Sequence, residues 1–272
     1  MKKRKVRLAV LLAALLAACI ACTTPAAPAF ERAEDYSNWA NETGYESGAL
    51  VQQGDYGIYM NYYHTLPGAR GYDSGRIAVG DSRCCQLGIY EQRMGRGDFA
   101  AFGVWGGHYR EGAYPQIVTD ALFGDVERCF RSQIAARGEC TIFFFATVND
   151  YDYESGDNSA NIAAAVRAAE RLASLCFELD GRTFRPRVVI IGFDGCRREG
   201  GYYGVPSETF NRCLDEYNAA LLEAVAGSEA LGVYFTTVRA IAGGNTAYID
   251  DGLHYGDETL RSLADFIAGF AA

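Results

Sequence analysis

The chain reads as an α/β protein, with about five strands in one doubly wound parallel sheet and helices on both of its faces. The apolar runs of strand length are Arg76–Val79, Ala100–Trp105, Thr141–Val148, Val188–Phe193 and Val233–Val238. They are continuous rather than alternating, as strands buried on both faces require. Between them lie longer segments with apolar residues at helical spacing, so strand and helix patterns take turns along the chain.

Residues 30–75 are rich in Tyr, Gly, Asp and Asn and carry no sustained period. They read as an irregular amino-terminal extension, with a short strand allowed over Tyr56–Tyr63. The first core strand ends in Ile77-Ala78-Val79 and runs directly into Gly80-Asp81-Ser82-Arg83, where a helix begins. Further helices are expected over Gln116–Ala136 and Asn161–Leu179. Pro206-Ser207-Glu208 opens another, over Pro206–Ala226, because proline is pre-set for the first helical turn. The last helix, Glu258–Ala271, has Asp257 as its expected N-cap. Residues 76–272 thus form one domain without internal repeat or second boundary. In such sheets sites form beyond the carboxyl ends of the strands, where Ser82, Gly106, Asn149 and Asp251 fall.

Residues 1–29 have the organisation of an export signal. Lys2, Lys3, Arg4, Lys5 and Arg7 precede an apolar stretch from Leu8 to Ile20, too short to span a bilayer, which takes about 20 residues. Leu16-Ala17-Ala18-Cys19 has the form of a bacterial lipobox, which would place a lipid anchor on Cys19; Ala27-Pro28-Ala29 offers a plain cleavage site instead. Either way the expected location is outside the cytoplasm, at the membrane surface or secreted. Without the five n-region cations, 20 basic residues face 34 acidic ones, a net of −14. That surface repels nucleic acid and anionic lipid headgroups. Seven cysteines lie beyond residue 30, an odd number that leaves at least one thiol unpaired; each is read either as a disulfide half or as a small buried hydrophobe.

A serine where a buried strand meets a helix can expose its Oγ and aim its own N–H at a developing oxyanion. Only three histidines are available as its base. His254 follows the last strand, and Asp251 lies three residues ahead across a glycine turn, within reach of its Nδ1. Asp250 is the neighbouring alternative. Asn149, at the end of the most apolar strand, offers a neutral amide to negative charge. Gly106 and Gly107, after Trp105, offer backbone N–H groups, with Gly107 preferred. His108 is placed at the substrate or read as a polar loop residue, and Arg83 is placed at the substrate or, as the favoured reading, paired with a local carboxylate. His64 has no assigned role.

Together Gly80-Asp81-Ser82, the glycine after the second strand, Asn149-Asp150 and Asp251-x-x-His254 resemble the four blocks of SGNH/GDSL hydrolases, over residues 76 to 270. The Gly-Asp-Ser-Arg form resembles a bacterial surface branch of that family. The resemblance implies a flavodoxin-like three-layer α/β/α sandwich and ester hydrolysis without metal or cofactor. Ser82 would be the nucleophile, His254 the base and Asp251 its orienter, with Ser82, Gly107 and Asn149 forming the oxyanion hole. Thr147 stands where the family pattern has glycine, and the second block lacks its usual asparagine.

The abundant Tyr and Trp near these blocks suit sugar rings, so an acylated saccharide is the expected substrate. Acyl transfer from the same site, or a binding role without catalysis, are the rival functions. The acidic loop at Asp150, Asp152, Glu154 and Asp157 has its glycine misplaced for an EF-hand, and the His and Cys positions beyond the signal lack zinc spacing. Neither a Gly-x-Ser-x-Gly elbow nor a phosphate-binding glycine loop is present.

Overall fold

A computed structural model describes residues 62–113, 115–117, 119–153, 155–197 and 205–271. The expected signal, Cys19 and most of the amino-terminal extension lie outside the described residues. Eight strands are described: β1 (Tyr62–His64), β2 (Arg76–Gly80), β3 (Ala100–Val104), β4 (Thr141–Phe145), β5 (Phe177–Leu179), β6 (Arg182–Phe184), β7 (Arg187–Gly192) and β8 (Phe235–Thr237). The helices are α1 (Ser82–Arg93), α2 (Asp120–Arg137), α3 (Ser159–Ala173), α4 (Ser207–Ala226), α5 (Val238–Ile241) and α6 (Asp257–Gly269).

Six strands form the main sheet in the order β1-β3-β2-β4-β7-β8. The five parallel strands, β2, β3, β4, β7 and β8, pair in the flavodoxin-like order 2-1-3-4-5. The architecture is the expected three-layer sandwich. Side chains alternate across each strand as the pleat demands. Ile77, Val79, Ile142, Phe144, Val188 and Ile190 pack under α2, α3 and α4. Ala78, Phe143, Phe145, Val189 and Ile191 pack under α1 and α6. The strand order reverses between β2 and β4, and that is where a doubly wound sheet opens its crevice. The segments leaving those two strands carry Ser82 and Asn149.

Three local readings differ from expectation. The strand allowed as far as Tyr63 ends at His64, in β1, which joins the sheet antiparallel to β3 and pairs His64 with Phe102. The helix expected to Leu179 stops at Ala173, because Asp180 and Gly181 both take positive φ and fold 177–184 into a two-residue hairpin. Gly256 rather than Asp257 caps α6, which starts one residue earlier than expected. No disulfide joins the seven described cysteines, and five of them are buried. Burial pushes the Cys129 thiol up to about 12, so it behaves as a small apolar side chain.

Helix α1 lies unusually close to the sheet. A Cβ on Gly103 of β3 would stand 2.7 Å from the Cys85 backbone nitrogen and 3.1 Å from the Asp81 carbonyl oxygen. Neither backbone atom can swing away as a side chain would. Gly103→Ala is therefore expected to destabilise the fold by about 2–3 kcal/mol, the upper part of the overpacking range. Urea unfolding of the variant beside the wild type measures this; a loss under 0.5 kcal/mol, roughly the effect of an ordinary surface change, refutes it.

Candidate active site

The start of α1 sets the first element of the site. Asp81 is the N-cap: its Oδ1 accepts the Arg83 N–H at 3.0 Å, and its carbonyl accepts the N–H groups of Cys84 and Cys85, each at 3.0 Å. Ser82 is thereby the first helical residue, and its own N–H makes no hydrogen bond among the described residues. An uncommitted N–H at a helix start is a place where negative charge is stabilised.

The second element is the turn before α6. Gly252 takes positive φ (67°), and the carboxylate of Asp251 folds back on the loop. Its Oδ1 accepts the N–H of Leu253 at 2.8 Å and of His254 at 2.9 Å, while its Oδ2 lies 2.5 Å from His254 Nδ1. Partial burial raises the Asp251 pKa, but the His254 hydrogen bond and charge and the two backbone N–H groups outweigh it and hold the carboxyl at about 2. Ionised, Asp251 keeps the imidazole proton on Nδ1. His254 Nε2 then presents its lone pair to Ser82 Oγ, 2.9 Å away. The structure thus brings Ser82, His254 and Asp251 into one hydrogen-bonded chain. The Trp105 ring stands beside His254, the two ring centroids 5.8 Å apart.

The third element follows β4. Asn149 sits in a single 3₁₀ turn, Val148–Asp150, and one amide hydrogen of its Nδ2 goes to the Gly107 carbonyl at 3.0 Å. The other hydrogen is left for a ligand. The Thr147 hydroxyl accepts the Asn149 N–H at 3.2 Å and stands 2.8 Å from Asp81 Oδ2 and 3.0 Å from the Gly107 oxygen. Threonine at this position therefore bridges the segment before Ser82 to the segment bearing Asn149. No spacing in the sequence announces that bridge, because its two ends are 66 residues apart.

Gly107 does not fill the expected donor role. Its N–H closes a turn on the Val104 carbonyl at 3.0 Å, and its carbonyl orients Asn149 instead. Gly106, at positive φ (65°) in the same turn, carries the N–H without a partner among the described residues. Arg83 also departs from expectation. It is 2 % exposed, and its guanidinium donates to the carbonyls of Asp194, Gly195 and Leu253, so it has no surface to offer a substrate and no carboxylate hydrogen bond. His108 gives its Nδ1 to the buried Asp150 at 2.9 Å, leaving only Nε2 for a ligand. Asp150 holds the same loop by accepting from the Tyr109 and Arg110 N–H groups.

No protein-family model matches the chain, and no characterised relative is detected by sequence. Three solved structures with a similar fold are an aryl esterase of M. smegmatis, a carbohydrate acetylesterase of Sinorhizobium meliloti and a carbohydrate esterase family 3 protein of Talaromyces cellulolyticus. Their identities are 12 %, 13 % and 14 %, with TM-scores of 0.46, 0.43 and 0.43. Each match covers 71 % of this chain and 95 %, 95 % and 94 % of the other. At such identities the likeness assigns no role to any residue here.

The low pKa of Asp251 has a consequence for stability. A carboxyl held at about 2 when folded and near 3.8 when unfolded contributes stability above the higher value, lost as pH falls through the lower one. With solvent screening at this half-buried site, the contribution is about 1–2 kcal/mol. Between pH 5 and pH 2 the wild type is expected to lose that much more unfolding free energy than Asp251→Asn, as read from urea unfolding at each pH. Parallel curves for the two proteins would show that Asp251 is not held low.

Proposed function

We propose that the chain is an exported serine esterase of the SGNH/GDSL type acting on carboxylic esters, with acetylated saccharides as its substrate class. The observation that carries this reading is the chain Ser82 Oγ–His254 Nε2–His254 Nδ1–Asp251, with spacings of 2.9 and 2.5 Å. Ser82 Oγ attacks the acyl carbonyl and its proton passes to His254 Nε2, while Asp251 stabilises the imidazolium. The tetrahedral oxyanion meets the N–H groups of Ser82 and Gly106 and the free amide hydrogen of Asn149. Collapse expels the alcohol, which takes the proton from His254. Water, deprotonated by the same nitrogen, then releases the acid and restores Ser82.

The Trp105 ring beside His254 supports a flat, partly apolar alcohol portion such as a sugar. The charged and apolar amino terminus ending in Leu16-Ala17-Ala18-Cys19 supports export with a lipid anchor on Cys19.

The test is fluorophosphonate labelling and aryl acetate hydrolysis by the purified full-length chain. Ser82→Ala is expected to abolish labelling and to lower kcat about 10⁴-fold or more, as is His254→Ala for hydrolysis. Asn149→Ala should cost about 10²–10³-fold, the worth of one oxyanion donor. Undiminished hydrolysis by Ser82→Ala overturns the mechanism. Faster acyl transfer to an alcohol than to water moves the assignment to a transferase. A wild type that neither labels nor hydrolyses moves it to a binding protein.

A further inference from the structure

We propose that Arg83 and Gln86 are positioning residues for the base, clamping residues 253–255 onto the helix that carries the nucleophile; this rests on the serine-esterase reading. Residues three apart on a helix share a face. On that face of α1, Arg83 Nη2 donates to the carbonyl of Leu253 at 3.2 Å, and its guanidinium lies 4.9 Å from the centre of the Tyr255 ring. Gln86 Oε1 accepts the Tyr255 N–H at 3.2 Å. Ser82, the residue before Arg83, meets the His254 ring itself. The residue before the base, the base and the residue after it are thus each held by a side chain of one helix.

The grip extends to the loop after β7. Arg83 Nη1 donates to the Asp194 carbonyl and Nη2 to the Gly195 carbonyl, both at 3.4 Å, while the Arg197 N–H donates to the Gly252 carbonyl at 2.7 Å. One planar guanidinium therefore ties the 194–195 loop and residue 253 to α1 through three carbonyls. A lysine, with a single nitrogen, cannot span all three carbonyls. Arg83 and Gln86 are both buried, so water cannot replace either contact. Burial works against the Arg83 charge, but Tyr255, Asp81, Tyr248 and Asp194 around it favour the charged form. A turn held this way keeps Nε2 on line with Oγ, and a misplacement of about 1 Å costs about 10²-fold in rate.

The experiment uses the full-length chain and the variants Arg83→Met, Arg83→Lys, Gln86→Met and Gln86→Glu. Steady-state kinetics on an aryl acetate are combined with hydrogen exchange over residues 249–256. Arg83→Met should lower kcat about 30-fold with KM within about twofold, since no substrate contact is lost. Arg83→Lys should recover part of that loss. Gln86→Met should lower kcat about fivefold, and Gln86→Glu, which keeps the acceptor, should restore it. Exchange over 249–256 should quicken about tenfold in Arg83→Met while α3 stays unchanged. A raised KM with kcat intact would place Arg83 at the substrate and overturn the proposal, as would unaltered kcat and exchange. If Arg83→Met fails to fold, Arg83→Lys and the Gln86 pair decide the matter. If the wild type is inert, the esterase reading fails, while the exchange data still show whether the two side chains hold the turn.

Discussion

The buried carboxylate of Asp81 is the constraint on which the carboxyl edge of the sheet depends. A charge taken out of water costs several kcal/mol unless its oxygens are hydrogen-bonded, so its partners are obligatory. One oxygen is used to start α1 and so places Ser82 as the first helical residue; the other meets Thr147 and so fixes the turn that presents Asn149. Ser82 and Asn149 follow different strands, yet one carboxylate positions both. Hydrogen bonds to a charged group contribute about 1.5–3 kcal/mol each, enough to hold short turns that have little regular structure of their own.

The same economy recurs around the edge. Asp150 organises the 108–110 loop with both oxygens, and Asp251 organises the turn bearing His254 with both of its own. Each acid binds backbone N–H groups within a few residues of a site group. In that respect the site is a set of three loops, each wound around its own carboxylate. Arg83 supplies the cationic counterpart, its two Nη groups donating to carbonyls rather than to a paired acid. Close packing completes the arrangement: Gly80 and Gly103 leave only enough room for α1 to descend onto the sheet, where a side chain on either would meet Phe145 or Cys85.

Much of the fold was legible because strands buried on both faces need unbroken apolar runs, and such runs are local. Ser82, His254 and Asp251 were legible for a similar reason: each belongs to a short block at a strand end. The free N–H was expected at Gly107 but among the described residues lies at Gly106, because which N–H a turn consumes depends on its φ angles and not on its composition. Arg83 was expected on a substrate or a local carboxylate and meets backbone carbonyls instead. An arginine beside Ser82 looks like a ligand or ion-pair contact until the helix axis shows that its side chain points inward. The 177–184 hairpin escaped notice because three-residue strands carry no measurable period.

Sequence by itself determined the alternation of strands and helices, the break at Gly80-Asp81-Ser82 and the Asp251-x-x-His254 spacing. These follow from burial periodicity and from the reach of a side chain across a turn, both properties of a few consecutive residues. Only the tertiary structure decided which hydrogen-bonding groups remain free and which are spent. The bridge from Asp81 to Thr147, the orientation of Asn149 by Gly107 and the hold of Arg83 on Leu253 join residues 66, 42 and 170 positions apart. Such pairs meet because the strand order reverses between β2 and β4 and the chain's last turn docks on α1. No local pattern encodes that meeting.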